Sequence, residues 1–259
     1  MNFKTIDLRD YLKLEAHFYG DIHGCLAWLL ESFDLIQRQK DGFLFAAGDL
    51  IDRGEDSYQV CQRFRLTENY ESVRGNHEDM VIDEPNGASA TTSAHRMING
   101  GEWREAFTDE MIIDLAAYFE QMPLAIEVLL PNNKKVGIVH ASVPKGVHWE
   151  TVKETLSNPN TSAFNKLKSF LLWERRSVHN NEDYVVDGVD ALICGHNVQE
   201  FGYKILGNRI YIDTGANLMV PGSDRFRMTI LEYKDGGPIL GLFEDHELFL
   251  NEYNKLDYV

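Results

Sequence analysis

The sequence has few cysteines, no long hydrophobic run and no visible export signal. Its three cysteines, Cys25, Cys61 and Cys194, form no CxxC pair and are odd in number, which argues against a disulfide scaffold and favours a reducing compartment. The longest apolar stretches, such as LAAYF and LAIEVLL, are far shorter than the ~20 residues that cross a bilayer. The N-terminus MNFKTIDLRDYLKLEA lacks the apolar segment of a signal peptide. We therefore predict a cytoplasmic protein without a membrane partner.

Positive charge is also scarce. The chain has 25 Lys and Arg against 41 Asp and Glu, a formal net charge of −16. Nucleic acid is not an expected partner, because a phosphate backbone needs a basic surface. An anionic substrate would need a strongly positive local site. With 259 residues, 44% of them hydrophobic, and no low-complexity break, we predict one domain over residues 1–259.

One pattern recurs along the chain: a short apolar run is followed by a glycine-bounded turn that carries Asp, His or Asn. It occurs in AHFYGDIHG, FLFAAGDLIDRG, ESVRGNHED, KKVGIVHAS and DALICGHN. We interpret the apolar runs as buried strands, so that polar side chains gather at the carboxyl ends of several strands. Between the runs, apolar residues at helical spacing predict helices that cover a sheet. These residues are Leu26, Leu29, Leu30 and Phe33, and then Val60, Cys61 and Phe64.

Residues 84–120 and the C-terminal part of the chain depart from this pattern. Residues 84–120 are more polar, and we predict a lid-like insert of loop and helices over the site. Near the C-terminus, FRMTILEY, the turn KDGGP and ILGLFEDHELFL predict the closing strands of a second sheet.

The turns after the apolar runs carry oxygen and nitrogen side chains of the kind that binds a divalent transition metal. They are Asp21, His23, Asp49, Asn76, His140 and His196. Six ligands are too many for one tetrahedral site. The economical arrangement is two metals about 3.5–4 Å apart with one carboxylate bridging them. We expect Asp49 to be the bridge, Asp21 and His23 to complete the first site, and the other three to complete the second.

Three of these turns read GDIHG, GDLIDRG and GNHE. The chain therefore resembles the phosphoprotein phosphatases among the calcineurin-like metallophosphoesterases, whose signatures are GDxHG, GDxxDRG and GNHE. The resemblance continues through NGGEW, VHAS, LLWER, CGHN and YIDTGA, and it is to the bacteriophage lambda type of serine/threonine phosphatase in particular. It implies an α/β (α+β) fold, a β-sandwich of two mixed sheets flanked by helices. It also implies a dinuclear centre of manganese, with iron or zinc as alternatives, and hydrolysis of phosphate monoesters by attack of a metal-bridging water.

The resemblance gives roles to residues that bind no metal. Arg53, Arg74 and Arg175 would add positive charge at the open side of the centre and pair with phosphoryl oxygens. His77, oriented by Asp52, would protonate the leaving oxygen as general acid.

Simpler interpretations compete with these roles. Asp and Asn beside glycine are common turn formers, and a histidine after a strand is often a hydrogen-bonded core residue. Either Arg175 or its neighbour Arg176 could face the site. Asp213 matches the family's IDTGA segment but is interpreted as a supporting acid, not a ligand. Glu78 and Asp79 are interpreted as support for the turn or the next helix start.

Three functions fit the sequence. The first is a protein phosphatase acting on phosphoserine or phosphothreonine, and on phosphotyrosine as a further substrate, in a bacterial or phage-encoded monomer. The second is a diadenosine tetraphosphate hydrolase with the same metal set, which the negative net charge slightly disfavours. The third is an inactive phosphopeptide-binding module, although every ligand and the acid are present. Trp103 and Trp173 could flank a substrate groove or could simply pack.

Overall fold

A computed structural model describes residues 2–11, 14–36, 42–83 and 98–249. Its strands are β1 (Phe3–Asp7), β2 (Ala16–Tyr19), β3 (Phe43–Ala46), β4 (Tyr70–Ser72), β5 (Ala125–Leu130), β6 (Lys134–Val139), β7 (Ala191–Cys194), β8 (Lys204–Leu206), β9 (Arg209–Tyr211), β10 (Met228–Tyr233) and β11 (Phe243–Leu248). Its α-helices are α1 (Leu26–Leu35), α2 (Ser57–Leu66), α3 (Asn76–Asp83), α4 (Asp109–Gln121), α5 (Trp149–Leu156), α6 (Ser162–Trp173) and α7 (Arg176–His179). A 3-10 helix spans Gly101–Ala106.

The strands form two sheets. One has the order β1-β5-β6-β7-β9-β8 and the other the order β11-β10-β2-β3-β4. Both are mixed. In the first sheet, β6, β7 and β9 run parallel, while β5 runs antiparallel to β6 but parallel to β1, and β8 runs antiparallel to β9. In the second sheet, β2, β3 and β4 run parallel, while β10 runs antiparallel to β2. The predicted fold of two mixed sheets flanked by helices is confirmed.

The two sheets pack face to face, and helices cover both outer faces. Phe18, Phe45, Ile138 and Ile193 belong to the core between the sheets. A second core lies beneath α1, α2 and α4, and a third beneath α5 and α6. Strands β2, β3 and β7 are therefore buried on both faces, which is why they are near-continuous apolar runs in the sequence.

The helices predicted from apolar spacing correspond to α1 and α2, with Leu29, Val60 and Phe64 buried. The first part of the predicted insert, residues 84–97, lies outside the described residues, as does the tail from residue 250. The described part of the insert holds the 3-10 helix and α4, which packs on α3. Strands β10 and β11 pair with each other and extend the sheet that contains β2. Among the described residues, none of the helices has the length and apolar character that a membrane crossing requires.

Candidate metal centre

All six predicted metal ligands follow the carboxyl end of a strand, and all are buried. Asp21 and His23 follow β2, and Asp49 follows β3. Asn76 begins α3 after β4, while His140 and His196 follow β6 and β7 of the other sheet. The carboxyl ends of parallel strands meet at one edge of a sheet. The centre therefore lies where these edges of the two sheets come together.

The backbone at the centre is strained at three ligands. His23, Asp49 and His196 have left-handed φ angles of 48°, 49° and 64°, a conformation that costs a non-glycine residue of order 1–3 kcal/mol. The backbone oxygen of Asp49 accepts hydrogen bonds from the N–H groups of Ile22 and His23 at 3.1 and 2.9 Å. These bonds tie the first turn to the second and hold the strain in place.

The ligand atoms form two groups that share one carboxylate. In one group, His140 Nε2 lies 3.4 Å from Asp49 Oδ2, 3.1 Å from His196 Nδ1 and 2.8 Å from Asn76 Oδ1. In the other, His23 Nε2 lies 3.8 Å from Asp21 Oδ2 and 3.7 Å from Asp49 Oδ2. The structure thus brings the six side chains together, with Asp49 in the position expected of a bridge.

The side-chain atoms that face one another at the centre are suited to binding a cation and not to hydrogen bonding with each other. His140 Nδ1 lies 2.8 Å from the backbone oxygen of Ala47, and His23 Nδ1 lies 2.8 Å from that of Ile51. Each Nδ1 must donate its proton there, which leaves Nε2 as an acceptor. His140 Nε2 then faces Asn76 Oδ1, another acceptor. Acceptors that converge in this way are the arrangement that binds a metal.

His23, His196 and Asp49 have the protonation states that metal ligands need, whereas the pKa of Asp21 is raised. Burial lowers the pKa of His23 to about 3 and that of His196 to about 2, so both imidazoles are neutral. Burial opposes ionisation of Asp49, but the attraction between its carboxylate and the protonated forms of the surrounding histidines lowers its pKa. Of these histidines, His77 is the one with a raised pKa that can stay protonated. Burial, followed by the charges of Asp213 and Asp49, raises the pKa of Asp21. A divalent ion would relieve this crowding of carboxylates, and Asp213 lies beside Asp21 as a supporting acid.

His77 and Asp52 form a buried pair next to the ligands. His77 Nδ1 lies 2.6 Å from Asp52 Oδ2, and its Nε2 lies 3.7 Å from Asp49 Oδ2. Burial disfavours the imidazolium, but the charge of Asp49 and the hydrogen bond to Asp52 raise the pKa of His77 above its ordinary value. His77 can therefore carry a proton beside the centre, in contrast with the neighbouring neutral histidines.

Two of the three predicted arginines lie at the rim. Arg53, which is exposed, donates from Nη1 to His23 Nε2 at 2.8 Å, and its Nη2 lies 3.5 Å from His77 Nε2. Arg175 is also exposed and donates from Nη1 to the backbone oxygen of His196 at 3.2 Å. Of these two adjacent arginines, Arg175 contacts the backbone of His196 at the centre, and Arg176 is the first residue of α7.

The structure does not bring the guanidinium of Arg74 to the rim. Arg74 is buried and donates to Asp79 Oδ1 at 3.2 Å and to the backbone oxygens of Glu120 and Met122 at 2.8 and 3.2 Å. The side chain joins the turn after β4 to the end of α4. These acceptors direct the guanidinium away from the rim, where a contact with phosphate was expected.

Glu78 supports the turn, as interpreted from the sequence, whereas Trp103 makes a contact that the sequence did not indicate. Glu78 accepts backbone hydrogen bonds from Asp49, Leu50 and Gly75 at 3.0, 2.8 and 2.8 Å. Its place in the first turn of α3 was the available signal, since an acid there can reach back to free N–H groups. Trp103 donates from Nε1 to Asp52 Oδ1 at 2.7 Å; no local sequence signal announces this contact.

Sequence comparisons agree with this arrangement. The profile of the family described as calcineurin-like phosphoesterase matches residues 17–200. Serine/threonine-protein phosphatase 1 of Salmonella typhimurium is 31% identical over 202 residues, which cover 76% of this chain and 84% of that protein. The symmetrical bis(5'-nucleosyl)-tetraphosphatase of Shewanella sp. (strain W3-18-1) is 30% identical over 153 residues, 54% of this chain and 48% of that protein.

Solved structures share the fold at low sequence identity. A protein serine/threonine phosphatase from Saccharomyces cerevisiae has a TM-score of 0.64 and 16% identity, and the match covers 96% of this chain and 84% of that one. A cold-active protein-tyrosine phosphatase of a Shewanella species has a TM-score of 0.55 and 14% identity, and the match covers 96% and 82%. At these identities the likeness concerns the arrangement of the two sheets and their helices.

Proposed function

The chain belongs to the calcineurin-like phosphoesterase family, whose members hydrolyse phosphate esters, and we propose that it is a metal-dependent protein phosphatase acting on phosphoserine and phosphothreonine. The proposal rests on the arrangement of side chains at the centre. Two groups of metal-type ligands share Asp49, and the His77–Asp52 pair lies at their side.

We propose that the centre holds two divalent ions, with manganese as the physiological metal. When bound, such ions would supply the Lewis acidity that makes water a nucleophile at neutral pH and offsets charge on phosphoryl oxygens. The residues that would hold them are Asp21, His23, Asp49, Asn76, His140 and His196. Asn76 contributes an oxygen without negative charge, so it does not reduce the attraction for an anionic substrate.

The remaining side chains divide binding and proton transfer between them. Arg53 and Arg175 would pair with the oxygens of a terminal phosphoryl group, because a guanidinium presents several N–H donors in one plane. Asp52 accepts from His77 Nδ1 and so keeps Nε2 directed toward Asp49 and Arg53. His77 Nε2 would hold the proton that the departing serine or threonine oxygen needs.

Two observations support a phosphoprotein as substrate. The Salmonella relative matches over most of both chains, whereas the tetraphosphatase match covers about half of each. The net charge of −16 also disfavours a nucleotide with several phosphates. The second candidate, symmetrical hydrolysis of diadenosine tetraphosphate, is favoured by the 30% identity to the Shewanella enzyme.

One experiment separates the two candidates. The manganese-loaded chain is assayed side by side on a phosphoserine peptide and on diadenosine tetraphosphate, with Asp49→Asn as the control for contaminating phosphatases. We expect a higher kcat/KM on the peptide and no activity of Asp49→Asn on either substrate. A higher kcat/KM on the nucleotide would replace the first candidate with the second.

A further inference from the structure

Trp103 connects the NGGEW segment to the proposed general acid. The residue lies in the 3-10 helix Gly101–Ala106, just after the part of the insert that is outside the described residues. Its indole Nε1 donates to Asp52 Oδ1 at 2.7 Å, and the other oxygen of the same carboxylate lies 2.6 Å from His77 Nδ1. Each oxygen of the Asp52 carboxylate thus accepts a hydrogen bond from a different ring.

This geometry restricts the rotation of the Asp52 carboxylate. Asp52 is fully buried and has a left-handed φ of 72°, so the fold holds its backbone in a strained conformation. A carboxylate can still rotate about its last bond, because that torsion is broad. The indole N–H removes this freedom by fixing one oxygen. The other oxygen then stays directed at His77.

The direction of Asp52 decides which nitrogen of His77 is available. A hydrogen bond from Nδ1–H to a carboxylate fixes the tautomer and the ring orientation of a histidine. In His77 this leaves Nε2 on the side of the centre, 3.7 Å from Asp49 Oδ2. A flip of the ring about the Cβ–Cγ bond would put Cε1 in the place of Nε2, and a carbon there cannot protonate a leaving oxygen.

The segment that carries Trp103 is docked independently on the same turn. The backbone N–H of Arg53 donates to the oxygen of Gly100 at 3.0 Å. Gly100 has a left-handed φ of 80°, and a Cβ there would lie 2.5 Å from the nitrogen of Arg53. Arg104, buried beside Trp103, donates from Nε to the backbone oxygen of Gly101 at 3.2 Å. The first contact docks the segment on the turn of Arg53, and the second lies within the 3-10 helix that carries Trp103. Neither contact depends on the indole N–H.

We propose that Trp103 is a positioning residue for the reaction: its indole N–H holds Asp52, and Asp52 in turn holds His77 in the orientation that protonates the leaving oxygen. The proposal rests on the proposed function for the role of His77. The hydrogen bond itself can be tested without any assumption about activity.

The first test compares two esters that differ in the leaving group. Phenyl phosphate releases a basic oxygen that needs a proton, whereas p-nitrophenyl phosphate releases one that needs little help. Trp103→Phe removes the N–H and keeps an aromatic ring. We expect kcat on phenyl phosphate to fall by roughly 10-fold, as when a supporting hydrogen bond to a site residue is lost, and kcat on the nitrophenyl ester to change little. Trp28→Phe, the same substitution in α1, should leave both unchanged.

The second test asks whether Trp103 acts through His77. Residues that act as one unit are non-additive when both are removed. Trp103→Phe should therefore cause no further loss in a His77→Asn background. An equal loss on both esters, or a full additional loss in that background, would mean that Trp103 only supports the fold, and would overturn the proposal.

The third test reads the hydrogen bond by NMR in the zinc-loaded full chain. The indole N–H signal that disappears in Trp103→Phe should be shifted downfield and should move upfield in Asp52→Asn, because a carboxylate is the stronger acceptor. An indole N–H signal that is not shifted downfield and does not move in Asp52→Asn would contradict the contact. If the wild-type chain hydrolyses neither ester, the proposed function fails, and this spectrum still decides whether Trp103 holds Asp52.

Discussion

At the scale of single residues, the centre depends on acceptors that neighbouring donors hold in position. Glu78 is the clearest case, because its buried carboxylate accepts from three backbone N–H groups. Two of these belong to the turn of Asp49, and the third belongs to Gly75. Burial, followed by the charge of Asp49, raises the pKa of Glu78 to about 7. Glu78 thus joins the turns after β3 and β4 at an electrostatic cost.

We predict that Glu78→Ala destabilises the fold. The substitution leaves three buried N–H groups without their acceptor, and each unsatisfied group costs about 1–3 kcal/mol. Relief of the buried charge offsets part of this, so we expect the free energy of unfolding in urea to fall by about 2 kcal/mol or more. Glu154→Ala, on the exposed side of α5, should stay within about 0.5 kcal/mol of wild type. Equal stability of the two variants would mean that the Glu78 contacts are dispensable.

Residue types could be predicted at this scale, but side-chain directions could not. The motifs GDIHG, GDLIDRG and GNHE indicated the candidate ligands, because each motif comes shortly after a strand. Arg74 adjoins the same turn, yet its guanidinium is directed to Asp79 and to the end of α4. Trp103 is 51 residues from Asp52 in the chain. Contacts of this kind depend on tertiary packing and have no local pattern.

At the scale of elements, the centre requires turns that approach carboxylates closely. A Cβ on Gly195, which follows β7, would lie 2.1 Å from Asp21 Oδ1, and one on Gly75 would lie 2.1 Å from Asp49 Oδ1. Only a glycine leaves room for the carboxylate at such positions. The two sheets can therefore meet at the centre because the turns on both carry glycine.

We predict that Gly195→Ala weakens metal binding. The new methyl group must displace Asp21, so affinity for manganese, measured by calorimetry, should fall by roughly 10-fold or more. Gly236→Ala is the matched control, because Gly236 has a left-handed φ of 78° and no atom within 4 Å of the added Cβ. That variant carries backbone strain without a clash and should bind manganese as wild type does. Unchanged affinity in Gly195→Ala would show that Asp21 is not needed for binding.

Secondary structure was predictable where apolar periodicity is local. The runs that became β2, β3 and β7 and the helical spacing that became α1 and α2 are visible in the sequence. The position of β10 beside β2 could not be predicted from a local pattern, because β2 lies more than 200 residues earlier in the chain. Long-range pairing of this kind is set by the available sheet edge. The lid-like role of the insert stays a prediction, because residues 84–97 lie outside the described residues.

At the scale of the whole molecule, a chain with a net charge of −16 must bind an anion. Its centre adds Asp21 and Asp49, and the surrounding histidines His23, His140 and His196 have lowered pKa values and supply no charge. The imidazolium of His77 is balanced by the carboxylate of Asp52, with which it is hydrogen-bonded. Arg53 and Arg175 at the rim offset only the carboxylates of Asp21 and Asp49. Attraction for a phosphate dianion therefore requires further positive charge at the centre. Divalent metal ions at the centre would supply this charge.

The most direct measurement is a manganese titration of the chelator-stripped chain, with bound metal and p-nitrophenyl phosphate hydrolysis followed together. We predict no hydrolysis in the stripped protein and a rise in activity that levels off at about two ions per chain, as in two-metal hydrolases. Hydrolysis by the stripped protein would contradict the requirement for metal.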